Sequence, residues 1–118
     1  MTNHTARDDL ETAWARYLTQ RNHEVRRVPT LPHVLSSRNG CDRSYRWFLL
    51  HAEGRSMRLT AIDHENVSRQ INLARKAGQE AYVVVKFDRP EPKVVVIPAE
   101  KAAKMGRISS KTGGIPWD

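Results

Sequence analysis

The sequence predicts an α/β fold, a mixed sheet carrying helices on its faces. Three observations lead there. Trp47-Phe48-Leu49-Leu50 is an unbroken apolar run that passes into polar residues, the pattern of a strand covered on both faces. Residues 81–87 and 93–97 are β-branched runs separated by Asp88-Arg89-Pro90-Glu91-Pro92, and they read as a hairpin. Residues 5–22 and 63–77 show helical periodicity and bracket the first group of strands. The order helix, strands, helix, strands, helix is that of an α/β domain.

Each element has its own signal. Thr5 is an N-cap candidate with Asp8 three residues on, a capping-box arrangement. Leu10, Ala13, Trp14, Tyr17 and Leu18 then form one apolar stripe, and Asn22 ends the helix. Glu11 sits about 100° around the axis from Leu10, at the margin of that stripe. Residues 23–28 read as a short strand that Pro29 ends, because proline has no N–H for a ladder. Residues 30–34, around Pro32, form a second extended piece. Ser36-Ser37-Arg38-Asn39-Gly40 is turn-forming, with Asn39-Gly40 the hairpin dipeptide. The strand over 45–52 is expected to be central. Residues 57–62 extend the sheet or lead into the helix over 63–77. That helix turns Val67, Ile71, Ala74 and Ala77 inward and stops at Gly78. Pro98 opens a short helix to residue 105. The glycine- and serine-rich run 106–118 reads as a flexible tail.

At 118 residues the chain is expected to be one domain, 1–118. Hydrophobic content of 39% against 28% charged residues argues for a folded chain over a disordered one. No run of about 18 apolar residues exists, so no membrane span is expected. Met1-Thr2-Asn3-His4 does not begin a secretory signal. Cys41 is the only cysteine, which rules out an internal disulfide and a cysteine zinc site. A cytoplasmic setting is the simplest expectation. Walker A, dinucleotide and nucleophile-elbow motifs are absent from the sequence.

The formal net charge of +7 calls for a polyanionic partner, most simply nucleic acid. Arg26, Arg27, Arg43, Arg55, Arg58, Arg69, Arg107 and Lys111 are the candidate contacts; Arg43, Arg55 and Arg58 flank the central strand. Such phosphate contacts are salt-sensitive and largely sequence-neutral. His51 and Glu53 stand two apart where the apolar run ends, so they share a face. Burying a charge without a partner is costly, which favours a site-lining position for both.

Taken together, residues 8–97 resemble the core of the PD-(D/E)XK nucleases, the restriction-endonuclease and Holliday-junction-resolvase superfamily. The likeness is to its small archaeal-resolvase-like and phage-borne members. It implies a restriction-endonuclease-like mixed sheet flanked by helices. It also implies a metal-binding role for Glu11 on the first helix. Pro32-His33 stands where the family has an aspartate, His51-Ala52-Glu53 where it has acid-x-lysine, and Gln70 where a helical glutamine approaches the site. In that family carboxylates hold Mg²⁺, which activates water, and the lysine stabilises developing charge. Glu53 can replace an oxygen ligand but not an ammonium, and Mg²⁺ prefers oxygen to imidazole.

Three substitutes exist for the lost groups. Asp42, after Gly40-Cys41, resembles the family's glycine-x-aspartate form. Lys86 offers an ammonium from a neighbouring strand. His33, His51 and Glu53 suit a Zn²⁺ or Mn²⁺ site. The catalytic candidates are therefore Glu11, His33, Asp42, His51, Glu53 and Gln70. Of these, Glu11, His51 and Glu53 are the metal candidates, for Mg²⁺ or Mn²⁺ in an active form, or Zn²⁺. Three readings stand. One is a DNA-binding protein, for DNA that includes branched forms, on a nuclease fold with an altered, inactive site. The second is a metal-dependent endonuclease or junction resolvase with a rearranged site. The third is a protein-interaction module. A homodimer is the assembly the resemblance implies.

Overall fold

The computed structural model describes residues 5–27, 33–40, 42–89 and 91–111, with side chains from Leu10 onward. Helix α1 (Thr5–Gln20) buries Leu10, Trp14 and Leu18, the expected stripe. Thr5 is already helical, and the side chains of the expected capping pair lie outside the described ones. The chain leaves α1 through Asn22, whose φ of 70° lies in the left-handed region that asparagine tolerates.

Strands β1 (His23–Arg27), β2 (His33–Arg38) and β3 (Ser44–Ala52) form an antiparallel meander. After β4 (Ser56–Arg58) and α2 (Ala61–Ala77), strand β5 (Glu80–Phe87) returns parallel to β3, and β6 (Lys93–Pro98) pairs antiparallel with β5. The sheet order β1-β2-β3-β5-β6 makes β3 the middle strand. Alternation along β3 explains its unbroken apolar run. Tyr45, Trp47 and Leu49 pack with Leu10, Trp14 and Leu18 of α1, whereas Phe48 and Ala52 pack with Val67 of α2.

Two boundaries depart from the sequence expectation in the meander. The extended piece over 30–34 is a strand only from His33; residues 30–32 lie outside the described ones. The turn expected over 36–40 is confined to its end, because β2 continues through Arg38. The hydroxyl of Ser36 is buried and accepts from Trp47 Nε1 at 2.8 Å, and it is bonded to His23 Nδ1 at 3.0 Å. These cross-strand contacts override the turn preference of serine. The hairpin then turns at Asn39-Gly40, with Gly40 at φ 77°.

Helix α2 starts two residues before the expected Asp63, because Thr60 caps it. Asp63 N donates to Thr60 Oγ1 at 3.2 Å and Thr60 N donates to Asp63 Oδ2 at 2.9 Å. This is a capping box with aspartate in the usual place of glutamate. Gly78 closes the helix at φ 67°. Val67 and Ala74 are buried and Ile71 is partly so, but Ala77 is exposed: the apolar stripe runs out one turn before the helix does. Thr60→Ala is expected to lose about 1 kcal/mol of stability through the cap. Gly78→Val should lose about 1–2 kcal/mol through left-handed backbone strain. Urea unfolding of the two variants checks both figures.

Residues 57–62 neither join the main sheet nor act only as a linker. β4 pairs antiparallel with β7 (Arg107–Ser109), placing Met57 opposite Ile108. Helix α3 (Ala99–Ala102) is shorter than the expected 98–105, with Pro98 at its N-cap. The expected tail over 106–118 thus begins as a strand whose Ile108 is fully buried in the α2-side core. Residues 112–118, Trp117 included, lie outside the described residues. Among the described residues no helix is long and apolar enough to cross a membrane.

Candidate functional site

Because β3 and β5 are parallel neighbours, their carboxyl ends come together, where α/β sheets commonly place ligands. His51 pairs directly with Lys86 in that register, so both side chains lie on the α1 side. Asp88 follows two residues later. Its backbone N–H donates to Ala52 O at 3.1 Å, which holds the residue against the end of β3. Asp88 Oδ2 lies 2.8 Å from His51 Nε2, and Oδ1 lies 3.9 Å from Lys86 Nζ. One carboxylate therefore sits between an imidazole and an ammonium. The exposed Glu53 lines an open concavity with Gly54, Asp88 and Arg89.

Cations surround this end. Arg55, Arg58 and Arg89 are exposed and have no ion-pair partner among the described residues. Arg58 stands directly opposite Arg107 across the β4–β7 ribbon. Arg107 Nη1 donates to Ser56 Oγ at 3.0 Å, and Ser110 N donates to Arg55 O at 2.7 Å, which ties the ribbon to the strand end. Like charges facing across a strand pair repel one another, and a bound anion relieves that repulsion.

The other sequence candidates lie elsewhere. Glu11 is buried, 3.7 Å from Arg27 Nη2 across the α1–β1 contact. His33 is 2% exposed and lies on the α2 side, with its Nε2 3.3 Å from Arg46 Nη1. Arg46 also donates to Gln70 Oε1 and Gln79 Oε1, each at 3.2 Å. Burial, and secondly the Arg46 charge, lower the pKa of His33 to about 4. It is thus a neutral acceptor at pH 7, and its buried Nδ1 has no hydrogen-bond partner among the described residues. Asp42 is exposed in the turn before β3, at the far end of that strand from His51. Arg43 is at that far end too, 3.6 Å from Glu80. Arg69 pairs with Glu65 on α2 at 3.6 Å, and Arg26 and Lys111 are exposed.

The structure thus gathers His51, Lys86 and Asp88, with Glu53 beside them, and separately gathers His33 and Gln70 around Arg46. It does not converge Glu11, His33, His51 and Glu53. Among the described residues no three His, Cys, Asp or Glu side chains come together as a metal-holding group. His51 Nε2 and Asp88 Oδ2 are engaged with each other beside an ammonium, so this donor set does not fit a divalent ion. Asp88, Arg89 and Arg46 were absent from the sequence candidates. Asp88 stands two residues after Lys86 at the end of a strand, a spacing that puts both on one side, but proline and glutamate beside it mark a turn. The signal for Arg46 was a charge just inside the most apolar strand.

Among solved structures, the chain is similar to Hjc, a Holliday junction resolvase from the archaeal hyperthermophile Archaeoglobus fulgidus. The TM-score is 0.64 at 18% sequence identity, covering 84% of this chain and 80% of that one. At that identity the likeness is one of fold: the five-stranded mixed sheet with helices on its faces is resolvase-like. No family model and no curated protein matches the chain.

Proposed function

We propose that the chain is a DNA-binding protein on a resolvase-like nuclease fold. Its phosphate-binding surface is the carboxyl end of β3 and β5 with the β4–β7 ribbon, and its nuclease site is altered and inactive. The observation that carries this reading is the set of exposed guanidinium groups without ion-pair partners among the described residues, Arg55, Arg58 and Arg89, around that strand end. The net charge of +7 and the fold shared with a Holliday junction resolvase support it. By the same likeness, the DNA bound includes branched forms and the assembly is a homodimer; the setting, from the lone Cys41, is the cytoplasm.

The chemistry of the strand end is electrostatic. Lys86 and His51 engage the Asp88 carboxylate, which lessens its repulsion of a passing phosphate. Arg55, Arg58 and Arg89 then provide planar donors that fit phosphate oxygens. Removing the Asp88 charge should strengthen DNA binding by about two- to fivefold, the scale of a partly exposed charge interaction. A titration comparing Asp88→Asn with the parent chain checks the direction. A centre that needs Asp88 for cleavage would lose function in the same variant.

The reading is tested with linear and four-way-junction DNA in binding and cleavage assays containing Mg²⁺, Mn²⁺ or Zn²⁺. The expected result is binding without cutting. Metal-dependent cutting that disappears in Glu53→Ala overturns the reading in favour of a rearranged endonuclease. Failure to bind any DNA at low salt points instead to a protein-interaction module.

A further inference from the structure

A second feature lies on the other face of the sheet, toward the opposite end of β3. In the meander, Arg26 pairs with Leu35 and Leu35 with Arg46, so the three side chains form a row on one face. The next row is Glu24, Ser37 and Ser44. A concavity on this face is lined by Arg26, Ser37, Ser44 and Gln79, with Glu24 also on its wall. Its centre is roughly 20 Å along β3 from His51, taking about 3.3 Å per strand residue.

Arg46 sets the character of this concavity. Its guanidinium is held at 3.2–3.3 Å by Gln70, Gln79 and the His33 imidazole, and none of these partners carries a negative charge at pH 7. Because Gln79 turns its amide oxygen to Arg46, its NH₂ end is the part left to face the concavity. Arg26 is exposed and has no ion-pair partner among the described residues. The concavity therefore offers a guanidinium, two hydroxyls and an amide donor, with a second guanidinium behind the amide. Among the described residues that line the concavity Glu24 is the one carboxylate, set against Arg26 and, behind Gln79, Arg46. Partial burial lowers the Arg46 pKa from its ordinary value, as expected for a charge removed from water.

We propose that this concavity is a second oxyanion site, taking a phosphate group through Arg26, Ser37, Ser44 and Gln79, with Arg46 as the fixed charge that orients Gln79. The site is independent of the strand-end surface and stands if that surface binds nothing. Its ligand is a phosphate dianion or a phosphodiester, supplied free or as part of a nucleic-acid strand.

The test is a ¹H–¹⁵N NMR titration of the intact chain, first with inorganic phosphate and then with a short single-stranded oligonucleotide. Saturable shifts are expected at the Ser37 and Ser44 amides and the Gln79 side-chain NH₂. Arg26→Gln should weaken phosphate binding about tenfold, the loss of one charge-assisted contact. Ser44→Ala should weaken it in the same direction, while Arg75→Gln, at a guanidinium paired with Glu100, leaves it unchanged. Shifts from the oligonucleotide at these resonances identify a backbone phosphate as the ligand; shifts from phosphate alone identify a free one. Absence of saturable shifts here with either probe, or an unchanged phosphate affinity in both Arg26→Gln and Ser44→Ala, overturns the proposal.

Discussion

With Arg55, Arg58 and Arg89 all replaced by glutamine, DNA binding at low salt is expected to weaken on the order of a hundredfold, and the salt dependence to flatten by about three counterions. The three side chains are exposed and carry no ion pair among the described residues, so the fold loses nothing with them. Surface changes of this kind usually alter stability by less than about 0.5 kcal/mol. The decrease should therefore appear in binding and not in the unfolding midpoint. Arg69 and Arg75 provide the control. They pair with Glu65 and Glu100 at 3.6 and 3.7 Å on the exposed side of α2, away from the strand end. The Arg69→Gln, Arg75→Gln double variant should bind nearly as the parent does. Equal losses in both sets would mean that diffuse net charge, not the strand end, carries the affinity.

The second large effect is a loss of stability in mild acid. His33 has a folded-state pKa of about 4 against an ordinary value of 6.5, first because it is buried and then because Arg46 stands beside it. Between those values the unfolded chain binds the proton and the folded chain does not. Stability is therefore full above pH 6.5 and falls as the pH drops toward 4, by up to about 3 kcal/mol from this one group. The pKa of His23 is also lowered, by burial and then by Arg38, and it acts with the same sign. Urea unfolding between pH 4 and 7 measures the loss. In His33→Asn the greater part of the slope should vanish, leaving a smaller one from His23. An unchanged slope in that variant would show that His33 is not held neutral by its surroundings.

The fold was largely legible because its strongest signals are local. The run Trp47 to Leu50 reads as a strand covered on both sides, and β3 is the middle strand of five. Gly78 stood where a helix would need left-handed backbone, and it closes α2 at φ 67°. What was not legible depended on partners distant in sequence. Ser36 reads as a turn residue until Trp47 and His23 are known to bond its hydroxyl. Arg107 to Ser109 reads as tail until β4 supplies its pairing partner. The site divides the same way. His51 was found from its own strand, but Asp88, its partner at 2.8 Å, is 37 residues on and looks like part of a turn. The sequence places His33 and His51 in one candidate site because it does not set their faces; the register puts them on opposite sides of the sheet.

The strand end is expected to grip DNA phosphates without a metal centre. The most direct measurement is the affinity of the chain for four-way-junction DNA across a salt series in the presence of a chelator. The expected result is tight binding at low salt, with log affinity falling linearly with log salt at a slope of several counterions. Binding that is absent in chelator at low salt, or an affinity that does not change with salt, would contradict it.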